Sequence, residues 1–131
     1  MINKIQYLRR MPLDKNDVVI IGSAVLIAHG VDIINNDLDV VVKPEILNEY
    51  LGERNIRLEY GETYTPMEGI EITGDLSIID KRYNQLNSKA DVIEGYTFMS
   101  LLDLKAMYLA LNRENDNLKI DIINRLLEES E

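Results

Sequence analysis

Apolar positions along the chain follow two periods. Ile2, Ile5, Leu8 and Met11 recur every third residue, which predicts a short helix ending at Pro12, because proline cannot extend a helix without losing a backbone hydrogen bond. After the polar turn 14–17, Val18-Val19-Ile20-Ile21 is an unbroken, mostly β-branched run stopped by Gly22, the pattern of a strand buried on both faces. Ser23 is suited to cap a helix of about two turns over 24–29, with Gly30 as its left-handed stop. The connection 31–36 leads to Asp37-Leu38-Asp39-Val40-Val41-Val42, a strand that opens with two carboxylates on one face. Pro44 fits the first turn of a helix running to Leu51, with Ile46, Leu47 and Tyr50 at helical spacing and Gly52 as its stop.

Further on, 56–60 reads as a strand and 61–68, GETYTPME, as an exposed loop. Ile70-Glu71-Ile72-Thr73 alternates, and a Gly74-Asp75 turn before Leu76 predicts a hairpin with 76–79. The stretch 81–91 is polar. From Met99 onward the period is helical: Leu101, Leu102, Leu104, Met107, Tyr108 and Leu111, then Leu118, Ile120, Ile122, Ile123, Leu126 and Leu127, with the polar 112–117 as a break. There is no internal repeat. The elements predict an α/β (α+β) domain with a C-terminal helical pair. At 131 residues it is one domain, with a core over 1–90 and a helical segment over 91–131.

Composition narrows the chemistry. Hydrophobic residues at 46% and charged residues at 28% are globular values, which exclude a disordered or fibrous chain. The absence of cysteine excludes disulfides and thiolate zinc sites. One histidine excludes two-histidine metal sites and leaves His29 as the sole base available to a serine–histidine triad; some two turns from Ser23, it reads instead as a capping or packing residue. With 14 basic and 23 acidic side chains the net charge is −9, which repels phosphate backbones, disfavours extended nucleic acid and suits a protein partner with a basic surface. The N-terminus lacks the apolar core of a signal peptide, and no run approaches the ~18 apolar residues of a membrane span, so a cytoplasmic protein without membrane association is expected.

The informative constellation is Gly22-Ser23, thirteen intervening residues, then Asp37-Leu38-Asp39. Strand period sets the two aspartates ~6.6 Å apart on one face. Two adjacent anions need compensation, and magnesium supplies it: it takes oxygen ligands, needs only one or two carboxylates and completes its shell with water and phosphate. Gly22 allows close approach of the backbone to a ligand, and the amides that follow favour an anion. A helix climbing ~12 Å can be offset by a six-residue return of up to ~20 Å, so Asp37 can lie beside Gly22. Metal beside phosphate implies transfer from a nucleoside triphosphate. Glycine-rich dinucleotide and Gly-Lys-Ser/Thr phosphate loops are absent, and a receiver domain would need an acid pair where Gly22-Ser23 stands.

The stretch VVIIGSAVLIAHGVDIINNDLDVVV resembles the nucleotidyltransferase superfamily with the DNA polymerase beta fold, in particular its small members: abortive-infection nucleotidyltransferases and the minimal nucleotidyltransferases of toxin–antitoxin pairs. SLLDLKAMYLALNRENDNLKIDIINRLL is similar to the helical segment that follows the catalytic sheet in such proteins. The resemblance implies a mixed β-sheet with helices packed on it, in which Asp37, Asp39 and a third carboxylate bind magnesium and activate an acceptor hydroxyl, while Gly22 and Ser23 bind the nucleotide. Glu71, between Ile70 and Ile72, matches the third position, with Asp75 and Asp80 as alternatives under a one-residue slip. It also implies that Lys105 contacts phosphate and that Lys119 and Asp121 lie near the cleft. Where related proteins carry an arginine and a threonine before the aspartate pair, this chain has Ile33 and Asn35. Tyr60, Tyr64 and Tyr83 are read as packing or solvent-exposed residues, with stacking on a base as the alternative. The competing reading is a non-catalytic, antitoxin-like or regulatory partner on the same fold.

Overall fold

The computed structural model describes residue 5 and residues 7–11, 13–33, 37–51, 56–58, 61–67 and 69–129; over 48–51, 56–58 and 61–67, and at 75 and 77, it describes the backbone alone. The first predicted helix is not formed in its described part. Tyr7 takes a left-handed φ of 66°, so the chain makes only a 3-10 turn over Leu8–Arg10, yet Ile5 and Leu8 still reach the core. A second 3-10 turn, Lys15–Asp17, has the Asp14 carboxylate accepting the Asn16 amide at 2.9 Å and delivers the chain into β1, Val18–Ile21.

All four residues of β1 are buried, as an unbroken apolar run requires when both faces of a strand are covered. Helix α1, Ser23–Ala28, follows after the single residue Gly22 and is apolar on every side. Ala24 to Ala28 are all buried, so it is an internal helix. Its N-cap is Gly22 rather than the predicted Ser23, which begins the helix proper. At its other end Gly30, with φ of 94°, reverses the chain while Val31 N donates to Leu26 O at 3.0 Å. Strand β2, Leu38–Val42, then returns antiparallel to β1, with Ile21 opposite Asp39 and Val18 opposite Val42. Helix α2 spans Pro44–Leu51 as predicted.

The next segment departs from expectation. Residues 61–67 are not a loop but a strand, β4 (Gly61–Met67), paired antiparallel with β3 (Ile56–Leu58) on one side and with β5 (Ile70–Thr73) on the other. A register shift between Tyr64 and Met67 accommodates Pro66, which cannot donate to the ladder. Strand β5 does not turn back on 76–79. It runs parallel to β2, with Asp39 opposite Glu71, and the short β6 (Asp75–Leu76) pairs instead with β7 (Lys81–Arg82). The polar stretch holds helix α3, Tyr83–Ser88, which buries Tyr83 and Leu86, and leads into a hairpin of β8 (Asp91–Ile93) and β9 (Tyr96–Phe98). That hairpin turns at Glu94-Gly95, both at positive φ.

Among the described residues the large sheet therefore has seven strands in the order β3-β4-β5-β2-β1-β9-β8, a mixed sheet in an α+β protein. Its central strands are the two that carry the Gly-Ser and Asp-x-Asp segments. The predicted helical pair is present as α4, Leu101–Leu111, and α5, Asp116–Glu129. Ser100 caps α4 by accepting the Asp103 amide, and left-handed Asn112 ends it. Lys81 on β7 donates to the buried Asp103 carboxylate, fastening the small hairpin to α4. No helix among the described residues is long and apolar enough to cross a membrane.

Candidate functional site

A cleft of about 160 Å³ opens where β1, β2 and β5 meet the helical pair. The antiparallel register of β1 and β2 brings the end of one strand to the start of the other, so Gly22 and Asp39 become neighbours although sixteen residues separate them in sequence. A Cβ built on Gly22 would stand 3.3 Å from Asp39 Oδ2. With φ of 76° and ψ of −154°, Gly22 also occupies a backbone region closed to other residues. Both facts call for glycine: the turn into α1 and the close approach of the carboxylate occur at the same residue. Ser23 lies beside it on the cleft wall.

Parallel pairing of β2 with β5 sets Glu71 directly across from Asp39, on the same face, and both line the cleft with Thr73. Burial, followed by the charge of Glu71, a hydrogen bond with it and the charge of Asp37, pushes the Asp39 carboxyl up to about 7, with Arg113 acting in the opposite sense. A hydrogen bond between two carboxyl groups requires one of them to hold a proton, so the pair resists carrying two charges. Asp39 Oδ1 is buried and has no hydrogen-bond partner among the described residues. Asp37 is exposed just before β2 and acts on Asp39 through its charge. No group of three or more His, Cys, Asp or Glu side chains among the described residues is drawn together closely enough to hold a metal ion, so the tight unit is the pair Asp39–Glu71.

The wall facing these acids is basic. Arg113, in the elbow between α4 and α5, and Lys119, on α5, both line the cleft, while Ile21, Leu76, Ile78, Met107 and Leu111 supply apolar surface. Arg113 Nε and Nη2 donate to the two oxygens of Asp116 at 2.7 and 3.2 Å, and Asp116 is 1% exposed. Lys119 Nζ is 3.8 Å from Asp116 Oδ1 and 5.3 Å from the centre of the Tyr108 ring. Tyr108 is buried, its hydroxyl has no hydrogen-bond partner among the described residues, and burial together with the Asp116 charge drives its pKa upward.

The cleft thus gathers Gly22, Ser23, Asp39, Glu71 and Lys119 from the residues singled out in sequence. It does not include Lys105, half-buried on α4, nor Asp121, exposed on α5, nor Asp80, exposed in a turn at φ of 52°. The Asp75 and Tyr64 side chains, and all of Tyr60 and Asn35, lie outside the described residues. Ile33 is half-buried against the core. Tyr83 is buried and donates its hydroxyl to Asn16 O at 3.2 Å, a packing role. His29 caps α1, with Nε2 4.0 Å from Asp91 and its pKa lowered chiefly by burial; it is not a cleft residue. Arg113, Asp116 and Tyr108 were not singled out as site residues. Their signal was the spacing 113, 116, 119 of alternating charge, which reads equally as a solvated helix face. Comparison of the chain with protein-family models, with curated proteins and with solved structures found no match.

Proposed function

We propose that the protein is a magnesium-dependent nucleotidyltransferase that moves a nucleoside monophosphate from a nucleoside triphosphate to an acceptor hydroxyl. The observation that carries this reading is the Asp39–Glu71 pair, two carboxyl groups held in contact within a cleft, one of them with a buried oxygen that has no hydrogen-bond partner among the described residues. Such a pair costs stability unless a cation relieves it, and its all-oxygen donor set fits magnesium. Asp39 and Glu71 would hold the ion, with Asp37 adding charge at the strand mouth. When bound, the ion supplies Lewis acidity to the phosphate and lowers the pKa of the attacking hydroxyl.

The remaining steps belong to the chain itself. Arg113 and Lys119 give the opposite wall the positive charge that triphosphate oxygens require. Gly22 lets the ligand approach the β1–α1 turn without meeting a side chain. The apolar residues Leu76, Ile78, Met107 and Leu111 offer a surface for a base or ribose. Glu71, once its partner is neutralised, can take the proton of the acceptor hydroxyl as pyrophosphate leaves. Incubating the full chain with magnesium and each α-labelled nucleoside triphosphate in cell extract should label an acceptor, and Asp39→Ala should abolish labelling. An unlabelled extract together with no triphosphate binding in direct titration overturns the reading.

A second reading, a non-catalytic partner-binding module, is favoured by the outward leucines of the helical pair: Leu102 and Leu109 on α4 and Leu118 on α5 are 65%, 56% and 69% exposed. Under this reading Leu102→Glu with Leu109→Glu releases a co-purifying partner, whereas Asp39→Ala does not.

A further inference from the structure

We infer that Asp116 is a positioning residue that aims Arg113 and Lys119 at the phosphates of a triphosphate bound in the cleft; the inference rests on the nucleotidyl-transfer reading above. Arg113, Asp116 and Lys119 recur at intervals of three, and the elbow between α4 and α5 turns this spacing into one ridge with the acid between the two cations. Asp116 is 1% exposed, whereas the Arg113 and Lys119 side chains are 49% and 33% exposed and face the cleft. An arginine on a short connection would sample many rotamers. The two-pronged pair to a buried carboxylate removes that freedom before any ligand arrives. The Tyr108 ring, its centre 5.3 Å from Lys119 Nζ, restrains that side chain as well.

Asp103 is buried too, but its pairing serves a different end. Asp103 pairs with Lys81, which does not line the cleft, so that pair only fastens β7 to α4. Both cations bound to Asp116 are cleft residues. The cost of burying Asp116 is therefore offset by groups that line the cleft. Asp116 touches neither substrate nor metal in this arrangement; it acts chiefly through Arg113, its two-pronged partner, and to a lesser degree through Lys119 at 3.8 Å.

The test is a double-mutant cycle on the full chain, read by calorimetric titration with Mg·ATP, with magnesium alone as a parallel probe. Asp116→Asn and Arg113→Gln should each weaken Mg·ATP binding about tenfold, as loss of a charge-assisted contact does, and the double variant should be no more than about twofold weaker than Arg113→Gln. Magnesium alone should bind all of them as it binds the parent. Additive losses, or a folded Asp116→Asn variant that binds Mg·ATP like the parent, overturn the inference. Should Asp116→Asn fail to fold, Arg113→Lys keeps the charge and loses the two-pronged pair; an undiminished affinity in that variant overturns the inference equally. Asp39→Asn, titrated alongside, separates the two levels. If it binds Mg·ATP normally while the cycle is non-additive, the nucleotidyl-transfer reading falls and the positioning role survives; if it loses binding while the cycle is additive, the reverse holds. A parent chain that binds no Mg·ATP overturns both.

Discussion

At the scale of single residues, Asp39 links stability to function. Its carboxyl titrates near 7 in the fold against 3.8 ordinarily, so between these values the folded chain holds more protons than the unfolded one. Stability is therefore greatest below about pH 4 as far as this group is concerned, falls as pH rises toward 7 and stays reduced above it. Asp39→Asn removes that loss. The variant should melt above the parent at pH 8 and close to it at pH 4, while losing magnesium-dependent nucleotide binding; equal melting shifts at the two pH values would refute the assignment. Gly22 makes the converse prediction. An alanine there needs a strained positive φ and brings a methyl group within 3.3 Å of Asp39 Oδ2, so Gly22→Ala should cost roughly 1–3 kcal/mol in denaturant unfolding. The need for glycine at 22 was visible in sequence as the stop of an apolar run. That the same residue must make room for Asp39 was not, because only strand pairing makes them neighbours.

Among elements, most of those with strong local periodicity matched the structure, the N-terminal stripe that left-handed Tyr7 interrupts being the exception, and those defined by their neighbours did not. β1, α1, β2, α2 and the two long helices have runs or spacings that admit one solution, and their ends fall within a few residues of expectation. β4 was misread because its polar GETYTPM sequence makes a strand only when β3 and β5 supply hydrogen bonds on either side. β5 was correctly a strand, but its partner was not the segment after Gly74; it lies in parallel register against β2, a pairing no local turn signal encodes. The hairpin β8–β9 did carry such a signal in Glu94-Gly95, flanked by β-formers. Lys81 belongs to this scale too. Lys81→Met removes the cation from a buried Asp103, and should destabilise the protein by about 3–5 kcal/mol in denaturant, with Asp103→Asn in the same background restoring part of the loss. If Lys81→Met costs no more than a surface substitution, the pair is not a fastener.

For the whole molecule, the cleft exists because two halves of the chain meet: the acidic wall comes from the sheet, the basic wall from the helical pair. Ile123, fully buried on α5, is part of the contact that holds them together. Ile123→Ala should lower stability by about 2–5 kcal/mol and weaken Mg·ATP binding while leaving magnesium binding unchanged, since it loosens one wall and spares the other. A variant that loses stability and retains Mg·ATP affinity would show that the basic wall does not depend on how α5 is seated. The net charge of −9 makes this local basic ridge more significant, since the rest of the surface repels the anion that the ridge attracts.

By itself the sequence determined the α+β class, the central strands and the candidate acids, because burial periodicity and turn-forming residues act over a few positions and leave a readable imprint. Which carboxylate faces Asp39, which cations oppose it and which polar segment becomes a strand were decided only in the folded chain. Those outcomes depend on register and on the seating of one half against the other, and the energies that set them come from contacts between residues far apart in sequence.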